Sequence, residues 1–208
     1  KKIVFKVLSY TVYLHPTSTN WVTFVHGAGG SSSIWFKQIR YFQKDFNVLL
    51  LDLRGHGKSN PKFFKAFNKK YTFPFVAKDV IDLLHHLQIK ETHMVGISLG
   101  TIIIRQIAEM EPQIVKSMIM GGAIMKLNLR SQLLIKLGVT LKKIVPYLWL
   151  YQFFAFIIMP NKNHTESRKL FVREAKKLNQ KEFIRWFKLA AEVNKILRYF
   201  RATDVAIP

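Results

Sequence analysis

Along residues 1–122, apolar runs of strand length alternate with longer segments of helical period, and this order constrains the fold more than any single motif does. WVTFVHG (21–27) is a strand entering glycines, and IWFKQIRYFQK (34–44) repeats its apolar residues at helical spacing. VLLLDLRG (48–55) is a continuous apolar run of the kind a strand buried on both faces needs. In FPFVAKDVIDLLHHLQI (73–89), Val76, Val80, Leu83, Leu84 and Leu87 fall on one helical face. THMVGIS (92–98) predicts a strand, LGTIIIRQIAEMEP (99–112) a helix stopped at Pro112, and VKSMIMGG (115–122) a further strand. Parallel neighbours require crossover connections, so the alternation predicts a mostly parallel sheet with helices on both sides.

The opening stretch, KKIVFKVLSYTVYL, is basic and then apolar, as a secretion signal would be, but Lys6, Ser9 and Tyr10 interrupt the run and no small-residue cleavage site follows. A pair of β-strands fits better, and the expected location is cytoplasmic. The 208 residues are 49% hydrophobic, enough to bury one substantial core. There is no cysteine, which excludes disulfides, thiolate metal sites and cysteine nucleophiles.

The formal net charge of +21 invites a nucleic-acid reading. Lys and Arg outnumber Asp and Glu by 16 to 7 over residues 1–121 and by 17 to 5 over residues 122–208, so the excess is spread through both parts. With no zinc-finger spacing, basic zipper or RNA-stacking motif, nucleic acid is not expected as a partner. A solvated surface is the favoured explanation, and weak attraction to an anionic surface or an acidic carrier protein comes second.

After Gly122 the pattern changes. Residues 123–204 contain no convincing strand and read as several helices. One has Asn179 and Glu182 at capping-box spacing ahead of Phe183, Trp186, Phe187, Ala190 and Leu197. The apolar segment IVPYLWLYQFFAFIIMP (144–160) has 17 residues where a spanning helix wants about 20, and Pro146 and Gln152 interrupt it. Packing against the main domain is favoured for it, ahead of lining an acyl or aromatic pocket and of membrane contact.

VGISLG (95–100) places Ser98 between Gly96 and Gly100. At glycine and serine usage of roughly 7% each, G-x-S-x-G arises by chance in about one chain in fifteen of this length, so context must decide. Here the serine lies between an apolar strand and an apolar helix. A sharp turn there pushes Oγ outward, and glycines two residues to either side let the two backbones pass closely. The helix N-terminus behind it favours developing negative charge. HGAGGSSSIW (26–35) follows another strand, and its glycines leave amides free to approach a substrate oxygen. With DLRGHGKS (52–59) between them, HGAGG and GISLG stand in an order and spacing that resemble the α/β-hydrolase superfamily, specifically cap-bearing serine hydrolases of esterase type.

That resemblance covers the chain from about residue 20 to its end. It implies an α/β fold with a mostly parallel sheet flanked by helices: residues 1–122 form the N-terminal part of the core, 123–204 an inserted helical cap, and 205–208 the start of the next core strand, with the C-terminal part of the fold absent from this chain. It also implies Ser98 as nucleophile and the amides of Ala28 and Leu99 as an oxyanion hole, while Asp52 and Arg54 support loop structure. In the family the acid and the histidine follow the cap. Six of the seven histidines here precede Ser98 and His164 lies within the cap, so the 208 residues alone are expected to be inactive.

Rival motifs fail on single positions. GHGKS has Asp52 where a phosphate-binding loop needs glycine, and Pro61 spoils the helix that should follow. GAGGSS has Ser32 where a dinucleotide site needs its third glycine. No cofactor or metal is expected. The resulting expectation is a serine hydrolase acting on a small, hydrophobic ester or related acyl compound. Serine at the turn argues against the dehalogenases and epoxide hydrolases among related enzymes, which use a carboxylate there. Thioester, peptide and carbon–carbon cleavage remain open, and the alternative is a non-catalytic binding or scaffold protein on the same fold.

Overall fold

The computed structural model describes residues 3–59, 70–123, 133, 140, 145–202 and 205–207. Six strands form one sheet: β1 (Ile3–Phe5), β2 (Leu8–Tyr13), β3 (Trp21–Val25), β4 (Asn47–Asp52), β5 (Thr92–Ile97) and β6 (Val115–Gly121). Their spatial order is β1-β2-β4-β3-β5-β6. β1 and β2 form the antiparallel pair expected at the start of the chain, and β2 runs antiparallel to β4. The β4–β3, β3–β5 and β5–β6 pairs are parallel, as the crossover pattern requires.

All six residues of β4 are buried, and their alternation splits them between two cores. Val48 and Leu50 face one side with Val22, Phe24, Trp35 and Val95. There α1 (Phe36–Phe42) covers the sheet with Ile39 and Phe42. Register aligns Leu50 with Phe24 and Phe24 with Val95, so one row of side chains crosses three strands. Leu49 and Leu51 face the other way, beneath α2 (Phe73–His86) and α3 (Leu99–Met110). Each fully buried side chain of this size contributes about 1.5–3 kcal/mol relative to exposure.

Thr72 caps α2 by accepting a hydrogen bond from the Phe75 amide, and Pro74 occupies the first turn, where its missing N–H costs nothing. Val76, Val80, Leu83 and Leu84 are buried as predicted, and Leu87 lies just past the last helical turn. The predicted 34–44 helix is shorter: a 3₁₀ turn over Ser32–Trp35 precedes α1.

From Tyr147 onward the described residues form α4 (Tyr147–Ile158), α5 (Thr165–Ala175), α6 (Gln180–Ala191) and α7 (Val193–Ala202). Leu150, Tyr151, Ala175, Leu178 and Phe183 form a third cluster among them. Trp186, Leu189, Val193 and Leu197 instead join the core beneath α2 and α3, as do the partly buried Val205 and Ile207. At the head of α6 the Asn179 side chain accepts from the Glu182 amide at 2.9 Å. The Glu182 side chain does not reach back to close the capping box; it is drawn to Tyr71 and Arg185 instead. Apart from Ala123, Leu133 and Thr140, the expected start of the helical region, Lys142 and Lys143 included, lies outside the described residues, as does Pro61. Among the described residues no helix is long and apolar enough to cross a membrane.

Candidate active site

Ser98 stands alone between the end of β5 and the start of α3. Its φ of +52° and ψ of −123° turn the chain from strand to helix in one residue, a backbone state that costs on the order of 1–3 kcal/mol for a non-glycine residue. Surrounding bonds hold it. The Ser98 amide donates to the Gly121 carbonyl at 2.9 Å, and the Ser98 carbonyl accepts from the Thr101 amide at 2.9 Å and the Thr101 hydroxyl at 2.6 Å. Ser98 itself is exposed although Gly96, Leu99 and Gly100 around it are buried.

The flanking glycines are needed for close approach. A Cβ on Gly96 would sit 2.9 Å from the Gly100 carbonyl oxygen, and one on Gly100 would run into the carbonyls of Val25 and His26. At the end of β3, a Cβ on Gly27 would lie 3.1 Å from Ser98 Cβ and 3.5 Å from the Leu99 nitrogen. The structure thus brings the residue before Ala28 against the turn that carries Ser98 and Leu99. Among the described residues neither the Ala28 nor the Leu99 amide has a hydrogen-bond acceptor, and none forms a hydrogen bond with Ser98 Oγ.

The loop carrying Ala28 is tied to the loop after β4. Leu53 donates its amide to His26 Nε2 at 2.9 Å, and Gly29 donates to His56 Nε2 at 2.8 Å. With both Nε2 atoms accepting, each ring carries its proton on Nδ1, which donates to the carbonyls of Gly27 and Arg54 respectively. Burial holds both imidazoles below the ordinary value of 6.5, His56 well below it, so both are neutral struts. Burial pushes the Asp52 carboxyl upward, but the Lys58 and Ser32 amides donating to it outweigh that and hold it below its usual value. Arg54 forms a two-pronged ion pair with Asp79 at 2.8 and 2.6 Å. Asp52 and Arg54 therefore support the loops, as expected.

Four of the other five histidines are engaged elsewhere. His15 accepts amides of its own turn, His85 pairs with Glu111, His86 stacks on Phe5 and His93 bonds the Ser117 hydroxyl. His164 sits in the short turn before α5. No cluster of three or more histidines and carboxylates suited to a metal occurs among the described residues.

Two buried carboxylates went unrecognised in the sequence. Glu174 on α5 accepts from Ser31 Oγ and from Lys177 Nζ, each at 2.5 Å. Glu182 on α6 accepts from the Tyr71 hydroxyl at 2.7 Å and from Arg185. Trp186 Nε1 donates to the Arg54 carbonyl at 2.9 Å, and the Tyr151 ring occupies the space a side chain at Gly29 would need. The C-terminal helices thus grip both loops beside Ser98. Spacing offers one hint, Glu182 at its capping position, whereas Glu174 stands three residues before Lys177, a spacing common on exposed helix faces.

Comparison with known proteins places this geometry. The family model described as the alpha/beta hydrolase fold matches residues 20–188. The chain is 27% identical over 120 residues to the (E)-2-((N-methylformamido)methylene)succinate hydrolase of Acinetobacter baylyi, covering 57% of this chain and 44% of the relative. It is 39% identical over 77 residues to 3-oxoadipate enol-lactonase 2 of the same organism, covering 37% and 27%. The chain thus spans less than half the length of either relative. In structure it resembles an esterase from Exiguobacterium antarcticum, with a TM-score of 0.73 over 88% of this chain and 69% of that one at 15% identity, a likeness of fold alone. A family match across most of the chain, and a strand order and serine turn that agree with it, make this protein a member of the α/β-hydrolase family.

Proposed function

We propose that the protein is a serine hydrolase cleaving an ester or related acyl compound of apolar character. Ser98 Oγ attacks the carbonyl carbon, and the amides of Ala28 and Leu99 stabilise the oxyanion that forms. The observation that carries the reading is the strained, exposed Ser98 turn packed against Gly27, with the Ala28 and Leu99 amides next in the chain to Gly27 and Ser98 and without acceptors among the described residues. The α3 N-terminus adds its partial positive charge where the negative charge develops.

In this reading residues 123–204 form a cap over the core of residues 1–122, and residues 205–208 lead into the next core strand. None of the described histidines bonds the Ser98 hydroxyl, and in this reading a histidine oriented by an acid elsewhere in the full-length protein serves as its base. The histidine accepts the Oγ proton as the Oγ–carbon bond forms, then gives it to the departing alcohol oxygen. A water molecule activated by the same histidine releases the acid. Hydrolase relatives, an enol-lactonase among them, support the reaction class.

The test is labelling of the full-length protein with a fluorophosphonate probe. Wild type is expected to be labelled at Ser98, and Ser98→Ala to lose the label with its melting temperature unchanged. A folded wild-type protein that stays unlabelled would overturn the proposal and favour a binding or scaffold role on the same fold.

A further inference from the structure

The helix α4 is apolar on both sides, but among the described residues one side is packed and the other exposed. Leu150, Tyr151 and Ala155 pack into the helical cluster. On the opposite side Trp149, Phe153, Phe156 and Ile157 follow one another at helical spacing and are 68%, 47%, 63% and 38% exposed. Single exposed apolar residues are ordinary, whereas a contiguous row of four large ones marks an interaction surface.

Charge beside the row identifies the partner. α4 itself carries no charged residue, yet a groove of about 380 Å³ separates it from α5, with Phe156 on one wall and Arg168, Lys169, Val172, Arg173 and Lys176 on the other. Lys169, Arg173 and Lys176 are exposed. The Arg168 guanidinium lies 5.4 Å from the Phe156 ring centroid and donates to the Asn161 carbonyl, fixing a cation at the edge of the apolar row. Of the two acids on α5, Glu174 is buried and held by Ser31, Lys177 and, at 3.7 Å, Arg173, while Glu166 is exposed in the first turn. Aromatic side chains in a row with cations along one flank match the interface of a bilayer, where rings sit among the upper acyl chains and lysines meet headgroup phosphates. A nucleic acid would use the cations and leave the apolar row in water.

We propose that the outward row of α4 and the adjoining basic groove form one docking surface for an anionic lipid bilayer, on which the protein lies without crossing it. Twelve helical residues are too few to span, and the net charge of +21 adds long-range attraction.

The test is flotation of the full-length protein with vesicles of phosphatidylcholine alone and of an equal mixture of phosphatidylcholine and phosphatidylglycerol. Flotation with the mixed vesicles only is expected, falling steeply at roughly 1 M salt, where the screening length is about 3 Å. Trp149→Ser with Phe156→Ser is expected to weaken binding about tenfold or more. Lys169→Glu with Lys176→Glu should do the same, since each cation near the surface is worth about fivefold. All four side chains are exposed, so both double variants retain the wild-type melting temperature. The proposal is overturned by absence of flotation, by equal flotation on neutral vesicles, or by flotation unchanged in both variants. It is equally overturned if the row instead joins two copies, seen as a dimer in sedimentation that Trp149→Ser dissociates while vesicles bind neither form.

Discussion

The sheet half and the helical half of this chain are held by different means. In the first, strand pairs put large aliphatic side chains on two faces of one sheet, and the loops near Ser98 are locked by neutral histidines and a buried aspartate. In the second, a smaller cluster holds the helices to one another. Their grip on the loops of the first half comes from a few polar anchors, Glu174 on Ser31, Glu182 on Tyr71 and Trp186 on the Arg54 carbonyl. Close packing leaves the sheet half little tolerance for added volume, whereas the helical half joins it through Trp186, Leu189, Val193 and Leu197 in the shared core and reaches its loops through a handful of directional bonds.

That contrast can be broken most sharply at Gly100. Gly100→Ala pushes a methyl group into the carbonyls of Val25 and His26, and we expect a loss of about 3 kcal/mol or more in urea unfolding, or no soluble protein. An alanine variant of wild-type stability would show that strand and helix can part there without consequence.

Acid comes next. The folded protein resists protonation of His26 and His56, while the unfolded chain takes up both protons near the ordinary value of 6.5. Their contribution to stability is therefore full above that pH and falls as pH drops through and below it, approaching about 1.4 kcal/mol per pH unit for each ring. Melting curves between pH 7.5 and 5.5 check this, and a flat profile would mean the imidazole struts open to admit protons.

The smallest effect is expected in the helical half. Glu182→Ala leaves the buried Tyr71 hydroxyl without its acceptor and costs about 2 kcal/mol, while Glu182→Gln keeps that bond and loses less. Equal losses in the two variants would show that the carboxylate charge, rather than the hydrogen bond, joins the halves.

Much of the sheet half was legible because its information is local. The β4 run announces its burial on both faces by being apolar without interruption, the α2 face announces itself through a period of 3.6 residues, and the Ser98 turn through glycines needed at fixed offsets. The helical half was legible as helices, Asn179 and its cap included, but not as an interface. A buried glutamate on a helix reads like any surface glutamate until its partner, 143 residues away in the case of Ser31, is brought to it by the fold. The apolar stretch around α4 was equally ambiguous, since inward and outward residue types are the same and only packing tells Tyr151 from Trp149.

The grip of Tyr151 and Glu174 on residues 29–31 bears on any exchange of parts between family members. The glycine-rich loop is clamped from above by α4 and α5 as well as from below by the sheet. Residues 27–33 and the C-terminal helices therefore form one cassette across a long gap in the chain, and a chimera that imports foreign helices must import their matching loop or leave Gly29 and Ser31 without the side chains that hold them.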